Sequence, residues 1–249
     1  MNHPLMERAL GRTPPERLRS DFQAGSVPCS AGGIASIVIL VGVALLMLAQ
    51  CQPATASTVS AQERPTQSAP ERHRNTLVRA ARFGFGMDAP IATLAAQVHQ
   101  ESRWQPNAKS PVGAQGIAQF MPATADWMAE LYPNTLGPAQ PFNPGWALRA
   151  MVQYDKWLLA RVSSLCECDQ WAMVLAAYNG GLGWVYRDSD AARALGAREP
   201  LAWRDIEHNN AGRSAANFKE NRHYVRVVLT RFEPQYSGWG RGVCDGVTL

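Results

Sequence analysis

Ile91, Leu94, Ala95 and Val98 recur at the i, i+3, i+4, i+7 spacing of one helical face, and Glu101 is the next position on that stripe. A segment with this period has to lay its apolar face against other elements, which commits the chain around it to helix packing. It also carries a carboxyl group toward the apolar wall, where lost hydration disfavours the ionised form and raises the pKa. The helix is expected to end just past Ser102, because Gln105 precedes Pro106 and a residue before proline avoids the α conformation. The negative end of the helix dipole then raises the pKa a little further. A carboxylic acid still protonated near neutral pH is what general-acid cleavage of a glycosidic bond requires. A helix-end glutamate that faces water fits the same stripe, and the stripe alone leaves both readings open.

The rest of the chain agrees with helix packing. Helices are predicted over Asn75–Phe83, Pro90–Ser102, Pro122–Leu131, Gly145–Val162, Gln170–Tyr178, Ala191–Leu195 and Asn217–Phe232. Pro90 and Pro122 stand at expected first helical positions, and Asp169 at an expected N-cap. Few runs alternate with period two, so the fold class is all-α, with at most a small hairpin. A hydrophobic content of 46% and eight Trp fit a folded enzyme. The net charge of +4 is small and evenly spread, which speaks against nucleic acid as a partner.

Ahead of this domain, Gly32–Ala49 runs for 18 residues without a charge, with Ser36 as its one polar side chain. As a helix it spans about 27 Å, close to the hydrocarbon thickness of a bilayer. The chain thus divides into a tail (1–31), a transmembrane or signal segment (32–49), a linker (50–74) and a folded domain (75–249). The linker is rich in Ala, Ser, Thr, Gln and Pro and lacks hydrophobic periodicity, as a flexible tether does. Arginines flank the apolar run on both sides, so charge bias does not set its orientation. An uncleaved anchor is the first expectation for this segment. Cys51 in Leu48-Ala49-Gln50-Cys51 makes lipidation the second, and cleavage near Ala54-Thr55-Ala56 the third.

Four short elements in order carry a more specific message. Glu101-Ser102 is followed by a polar loop, then Gly116-Ile117-Ala118-Gln119, then Met121-Pro122-Ala123-Thr124 at a helix start. Farther on stand Ala177-Tyr178-Asn179 and Glu220-Asn221-Arg222-His223-Tyr224-Val225. The set resembles the lytic transglycosylase domain of the soluble (SLT) type, whose pattern is Glu-Ser, Gly-Leu-Met-Gln, Met-Pro-x-Thr, Ala-Tyr-Asn and Glu-x-x-x-Tyr-Val. The resemblance covers nearly all of residues 75–249 and none of the first 74. It implies a lysozyme-like α fold with a cleft over Glu101, and peptidoglycan glycan strands as substrate. The domain would then work in the periplasm, outside the inner membrane that holds the anchor.

In the scheme the resemblance implies, Glu101 protonates the leaving oxygen and then acts as base. The muramoyl acetamido group stabilises the oxocarbenium-like state, and the sugar's own 6-hydroxyl closes a 1,6-anhydro ring. Retaining and inverting glycosidases need a second carboxylate. None lies between Glu101 and Asp126 in sequence, although Asp155, Asp188 or Glu220 can arrive from elsewhere. Hydrolysis by a muramidase therefore stays as the alternative, and a silent glycan-binding module as a third. Substrate-binding positions are Ser102, beside the acid or as a helix-end cap; Gly116, as room for the sugar; and Gln119, whose amide both donates and accepts. Tyr178 and Asn179, at a helix end, and Tyr224 complete the set. Tyr224 is carried over from the resemblance as the phenol that contacts the catalytic carboxyl.

The middle helix departs from the family pattern Asp-Pro-x-x-Asn-Ile-x-x-Gly-x-x-Tyr-Leu. Here Asn143-Pro144-Gly145-Trp146-Ala147-Leu148-Arg149-Ala150-Met151-Val152-Gln153-Tyr154-Asp155 puts Ala147 and Met151 at the polar and glycine positions. His99, His208 and His223 show no metal-ligand spacing, and Cys166-Glu167-Cys168 is no zinc pair, so neither a metal nor a cofactor is expected. In an oxidising compartment Cys244 can pair with Cys166 or Cys168.

Overall fold

A computed structural model describes residues 68–164 and 166–244. Gly32–Ala49, Cys51 and the linker up to residue 67 lie outside the described residues. No described helix is long and apolar enough to cross a membrane.

The described chain is helical, with no strand among its residues. Helix α1 spans Ala69–Phe85 and begins six residues before the expected Asn75, with Pro70 and Glu71 in its first turn. Both residues suit a helix N-terminus, so part of what reads as linker is ordered. Helix α2 is Ile91–Ser102, α3 Pro122–Leu131, α4 Pro133–Leu136 and α5 Pro144–Leu159. Proline opens α3, α4 and α5, and the Asn143 side chain caps α5 by accepting from the amides of Gly145 (2.9 Å) and Trp146 (3.2 Å). Helix α6 is Glu167–Gly180, starting three residues ahead of the expected Gln170, with Cys166 rather than Asp169 at the N-cap.

Two further helices, α7 (Leu182–Ala194) and α8 (Trp203–Ile206), precede α9 (Ala215–Arg226). Only the end of α7 was expected. The predicted helix ends at Tyr178, yet α6 runs on to Gly180, Gly181 makes a single sharp turn at φ 97°, and the chain re-enters helix at once. The predicted last helix, Asn217–Phe232, is α9 followed without a gap by a π-helical turn (Val227–Phe232) and then a 3₁₀ segment (Glu233–Trp239). In place of a hairpin there are isolated bridges, Lys109 to Gln115 and Gln115 to Phe120, inside the loop after α2.

Burial explains the arrangement. Residues 91–98 of α2 and 171–177 of α6 are buried without interruption. A helix that is apolar nearly all round has to be enclosed. Helix α6 is covered by α5, α7 and α9, and α2 by α1 and the π and 3₁₀ segments. Ala147 and Met151, the two departures on α5, are fully buried in this core. Gly84 lets α1 sit against α5, since a Cβ there would come within 2.4 Å of Val152 Cγ1.

Candidate active site

Helix α2 delivers Glu101 at its last turn, and the residues after it reverse the chain sharply. Arg103 (φ 52°) and Trp104 (φ 67°) are both left-handed, a conformation that costs a non-glycine residue about 1 kcal/mol or more. Trp104 is held there by burial at 1% exposure and by donation from its Nε1 to Tyr236 Oη at 2.7 Å. Ser102 Oγ donates to Ile117 O (2.7 Å) and accepts from Gln105 N (3.1 Å). Its hydroxyl thus fastens the turn to the loop at 117 rather than to the Glu101 carboxyl.

That loop is locked from within. Gly116 has φ 75°, and a Cβ on it would lie 1.7 Å from Pro141 O, so glycine is required here by the neighbouring backbone. This is a different reason from the expected room for a sugar. Gln119 is also left-handed (φ 50°), and its Nε2 donates to Gly116 O at 2.8 Å. Tyr178 Oη donates to Ala118 O at 2.8 Å and ties the loop to α6. Asn179 is exposed at the end of α6, with its Oδ1 accepting from Asn221 Nδ2 at 2.9 Å. Ser102, Gly116, Gln119 and Tyr178 therefore form one braced loop system beside the acid.

Tyr224, from α9, donates its Oη proton to Glu101 Oε1 at 2.5 Å. Glu101 keeps some exposure yet stands among dense packing, and this desolvation raises its carboxyl from the usual 4.5 to about 8. The Tyr224 bond opposes the rise by favouring the carboxylate. With Oε1 occupied by the phenol, Oε2 is the oxygen left to carry the acidic proton. Tyr178 and Tyr224 are themselves held well above 10, first by burial and then by the Glu101 charge.

A buried polar pair lies one turn back on the same face. Thr93, Gln97 and Glu101 are spaced by four, and Thr93 and Gln97 are fully buried. Thr93 Oγ1 donates to Glu233 Oε2 (2.5 Å), and Gln97 Nε2 donates to Asp155 Oδ1 (3.2 Å). Asp155 Oδ2 and Gln97 Oε1 are buried without a partner. Both are acceptors, so no bond joins them until one carries a proton. Burial holds Asp155 well above the usual carboxylate range, the Gln97 bond opposes this, and the Glu101 charge adds to it. A proton on Asp155 Oδ2 that donates to Gln97 Oε1 satisfies both atoms and closes an acid–amide pair. Burial and this pairing both favour the protonated form of Asp155.

Sequence reasoning missed Gln97, and the signal was present. Polar residues at 93, 97 and 101 form their own i, i+4, i+8 stripe, and its first two members stand within the buried run 91–98. The other carboxylates do not serve as partners of Glu101. Asp188 is fully buried and ion-paired with Arg213 and Arg222, while Asp126, Glu130 and Glu220 are exposed. Replacing Asp155 by Asn is expected to leave the pH profile of the active site in place and to raise stability at neutral pH, because the amide keeps both bonds and does not have to hold a proton that the unfolded chain has released. Asp155→Leu strands the Gln97 amide at a cost of about 1–3 kcal/mol. A raised pKa means stability that is lost as pH rises through the folded value, so Asp155→Asn should also melt higher than the parent at alkaline pH. Urea titrations across pH check this, and a profile displaced by Asp155→Asn shows instead that Asp155 is ionised.

Residues 86–200 match the family model of the Transglycosylase SLT domain. A membrane-bound lytic murein transglycosylase F of Pasteurella multocida is 33% identical over 124 residues, covering 49% of this chain and 23% of that protein. Its counterpart in Shewanella loihica is 36% identical over 124 residues, covering 49% and 24%. The chain therefore spans about a quarter of the length of these relatives. In fold it is similar to an inactive mutant of the lytic transglycosylase Slt from Pseudomonas aeruginosa, at TM-score 0.53 and 25% identity over 70% of this chain and 26% of that one. A 70-kDa soluble lytic transglycosylase in complex with bulgecin A gives 0.50 and 25%, over 70% and 26%. The likeness to soluble-type lytic transglycosylases read from the short elements thus holds over residues 86–200 in sequence and over 70% of the chain in fold.

Proposed function

We propose that this chain is a peptidoglycan lytic transglycosylase in which Glu101 is both acid and base. The observation that carries the reading is one desolvated carboxyl, raised to about 8 and held by Tyr224, while burial pushes Asp155, the carboxyl that feels its charge, toward the protonated form. Protonated Glu101 gives its Oε2 proton to the oxygen linking N-acetylmuramic acid to N-acetylglucosamine, and the bond from C1 to that oxygen breaks. The resulting carboxylate, stabilised by the Tyr224 phenol, takes the proton of the muramic acid 6-hydroxyl while O6 bonds to C1. Glu101 ends protonated, the product is a 1,6-anhydro end, and no water is consumed. Ser102, Gly116, Gln119, Tyr178 and Asn179 shape the cleft in which the sugar is held.

The uncharged run at 32–49 supports a domain anchored in the inner membrane and working in the periplasm, and the relatives bear names that call them membrane-bound. Mass spectrometry of fragments released from purified sacculi tests the chemistry. Ends lighter by one water than a hydrolytic product are expected. Hydrated reducing ends would make the enzyme a muramidase, and no release at all would make it a binding module.

A further inference from the structure

The buried cluster of Asp188, Arg213 and Arg222 takes no part in the chemistry above, yet hydrogen bonds lead from it to Asn179. Asp188 is fully buried and accepts from Arg213 and from Ala211 N, the latter at 3.1 Å. It also accepts from Arg222 Nη2 at 2.7 Å, while Arg222 Nε donates to Glu207 O at 2.8 Å. Arg222 is thereby fixed, and its Nη1 donates to Asn221 Oδ1 at 2.7 Å. Asn221 is 1% exposed, and its Nδ2 donates to Ala176 O and to Asn179 Oδ1, both at 2.9 Å. Asn221 and Tyr224 stand three positions apart on α9, which puts them on one face with about 5–6 Å between their Cβ atoms. Asn221 therefore joins Asn179 to the helix face that carries the partner of Glu101.

Donor and acceptor chemistry leaves this network one arrangement. A guanidinium only donates and a backbone carbonyl only accepts, so Asn221 turns Oδ1 to Arg222 and Nδ2 to Ala176. The reversed amide would set donor against donor and acceptor against acceptor. Both N–H bonds of Asn221 are then committed, and Asn179 meets it with Oδ1. The Asn179 Nδ2 is left pointing away. Asn179 is exposed, and this nitrogen has no partner among the described residues. We propose that Asn221 is a positioning residue for substrate binding, which locks the Asn179 amide as a donor toward an acetamido carbonyl of the glycan. This rests on the transglycosylase reading for the seat of the sugar. A sugar hydroxyl both donates and accepts and would tolerate either edge of the amide, whereas an acetamido carbonyl only accepts. The ion cluster holds Arg222, Arg222 sets Asn221, and Asn221 sets the polarity that Asn179 shows to the cleft.

Steady-state cleavage of soluble glycan strands by the full chain tests this. Asn221→Asp keeps an acceptor for Arg222 but cannot donate to Asn179, so the Asn179 amide turns over and faces the sugar with its oxygen. KM should rise about tenfold, as for one lost hydrogen bond, with kcat within about twofold of the parent. Asn179→Ala should raise KM by a similar factor. Asn179→Ala/Asn221→Asp should raise it no further than Asn179→Ala alone, because Asn221 acts through Asn179. By NMR, the side-chain amide protons of Asn179 should exchange with water more slowly in Asn221→Asp than in the parent. Losses that multiply in the double variant make Asn221 a structural residue only and overturn the proposal. Asn179→Asp needs no change in the core, so it decides the polarity even where Asn221→Asp does not fold. It keeps an oxygen for Asn221 and shows only oxygen to the sugar, and KM should rise as far as in Asn179→Ala. A parent KM in either Asn179 variant overturns the proposal. The rates count bonds broken whichever end forms. Hydrated ends with the expected KM pattern would sink the transglycosylase reading and keep the positioning role, and anhydro ends with a parent KM in Asn179→Ala would do the reverse.

Discussion

Replacing Glu101 by Gln is expected to abolish glycan cleavage and, at the same time, to make the domain more stable at neutral and alkaline pH. The swap keeps size and an oxygen for Tyr224 to donate to, but removes the transferable proton. Loss of a general acid typically costs about 10²–10⁴-fold in rate. Here the same group also serves as base, so the loss should lie at or beyond the upper end of that range. The stability effect follows from linkage. Between the unfolded value near 4.5 and the folded value of about 8, the unfolded chain has released its proton and the native state has kept it. The native state therefore binds more protons, and stability falls as pH rises across that window, levelling off beyond it. At 1.36 kcal/mol per pH unit this reaches on the order of 3 kcal/mol at pH 7, an upper bound because Glu101 keeps some contact with solvent. Gln pays none of it.

Melting curves of parent and variant at about pH 5 and about pH 8 should thus diverge, with the variant higher at the alkaline end. The rate of the parent enzyme should fall as pH rises through about 8, where the acid loses its proton. Retention of more than about a tenth of the parent activity, or a stability gap indifferent to pH, would remove Glu101 from its role.

How much of this was legible in the sequence differs from part to part. The α2 stripe and the raised acid at its end follow from the 3.6-residue period and from desolvation, and both are local properties. The pairing of Tyr224 with Glu101 came from resemblance, because no local pattern relates residues so far apart in the chain. Asp155 shows the opposite case. It falls where the family pattern has a leucine, on the helix face shared with Met151, Val152, Leu158 and Leu159, and only the arrival of Gln97 from α2 explains how a carboxyl is tolerated there. Helix α7 was hidden because Asn179 precedes two glycines and reads as a helix end, whereas the turn at Gly181 does not outlast one residue. The C-terminal tail is hard to read for a related reason. Its glycines suggest little to hold it, yet Tyr236 is buried and lies 5.8 Å from the Trp104 ring, and Trp239 lies 5.4 Å from the same ring.

The disulfide between Cys168 and Cys244 is the strongest of the tail's attachments, and its removal carries the second large expected effect. Cys168 stands in the first turn of α6 and Cys244 at the end of the described chain, 76 positions apart, both buried. The bond encloses the α6–α9 region, including Tyr178, Asn179 and Tyr224. Closing a loop of that length removes chain entropy from the unfolded state worth roughly 4 kcal/mol in a chain-entropy model. For a domain of this size that corresponds to a melting temperature lowered by about 10 °C. Activity at room temperature should change far less, because other contacts keep the tail in place. Arg241 grips both oxygens of Glu167 at 2.9 Å and its carbonyl accepts from Ala92 N at 3.0 Å. Val243 N donates to Thr93 Oγ1 at 3.2 Å, and Cys244 N to Glu233 Oε1 at 3.0 Å. The Val243 bond reaches Thr93, on the face of α2 that ends in Glu101. The crosslink therefore acts on the unfolded chain more than on the geometry of the site. Calorimetry of Cys168→Ser/Cys244→Ser, with cleavage followed at 25 °C, separates the two effects. An unchanged melting temperature defeats the first claim, and activity lost in step with stability defeats the second.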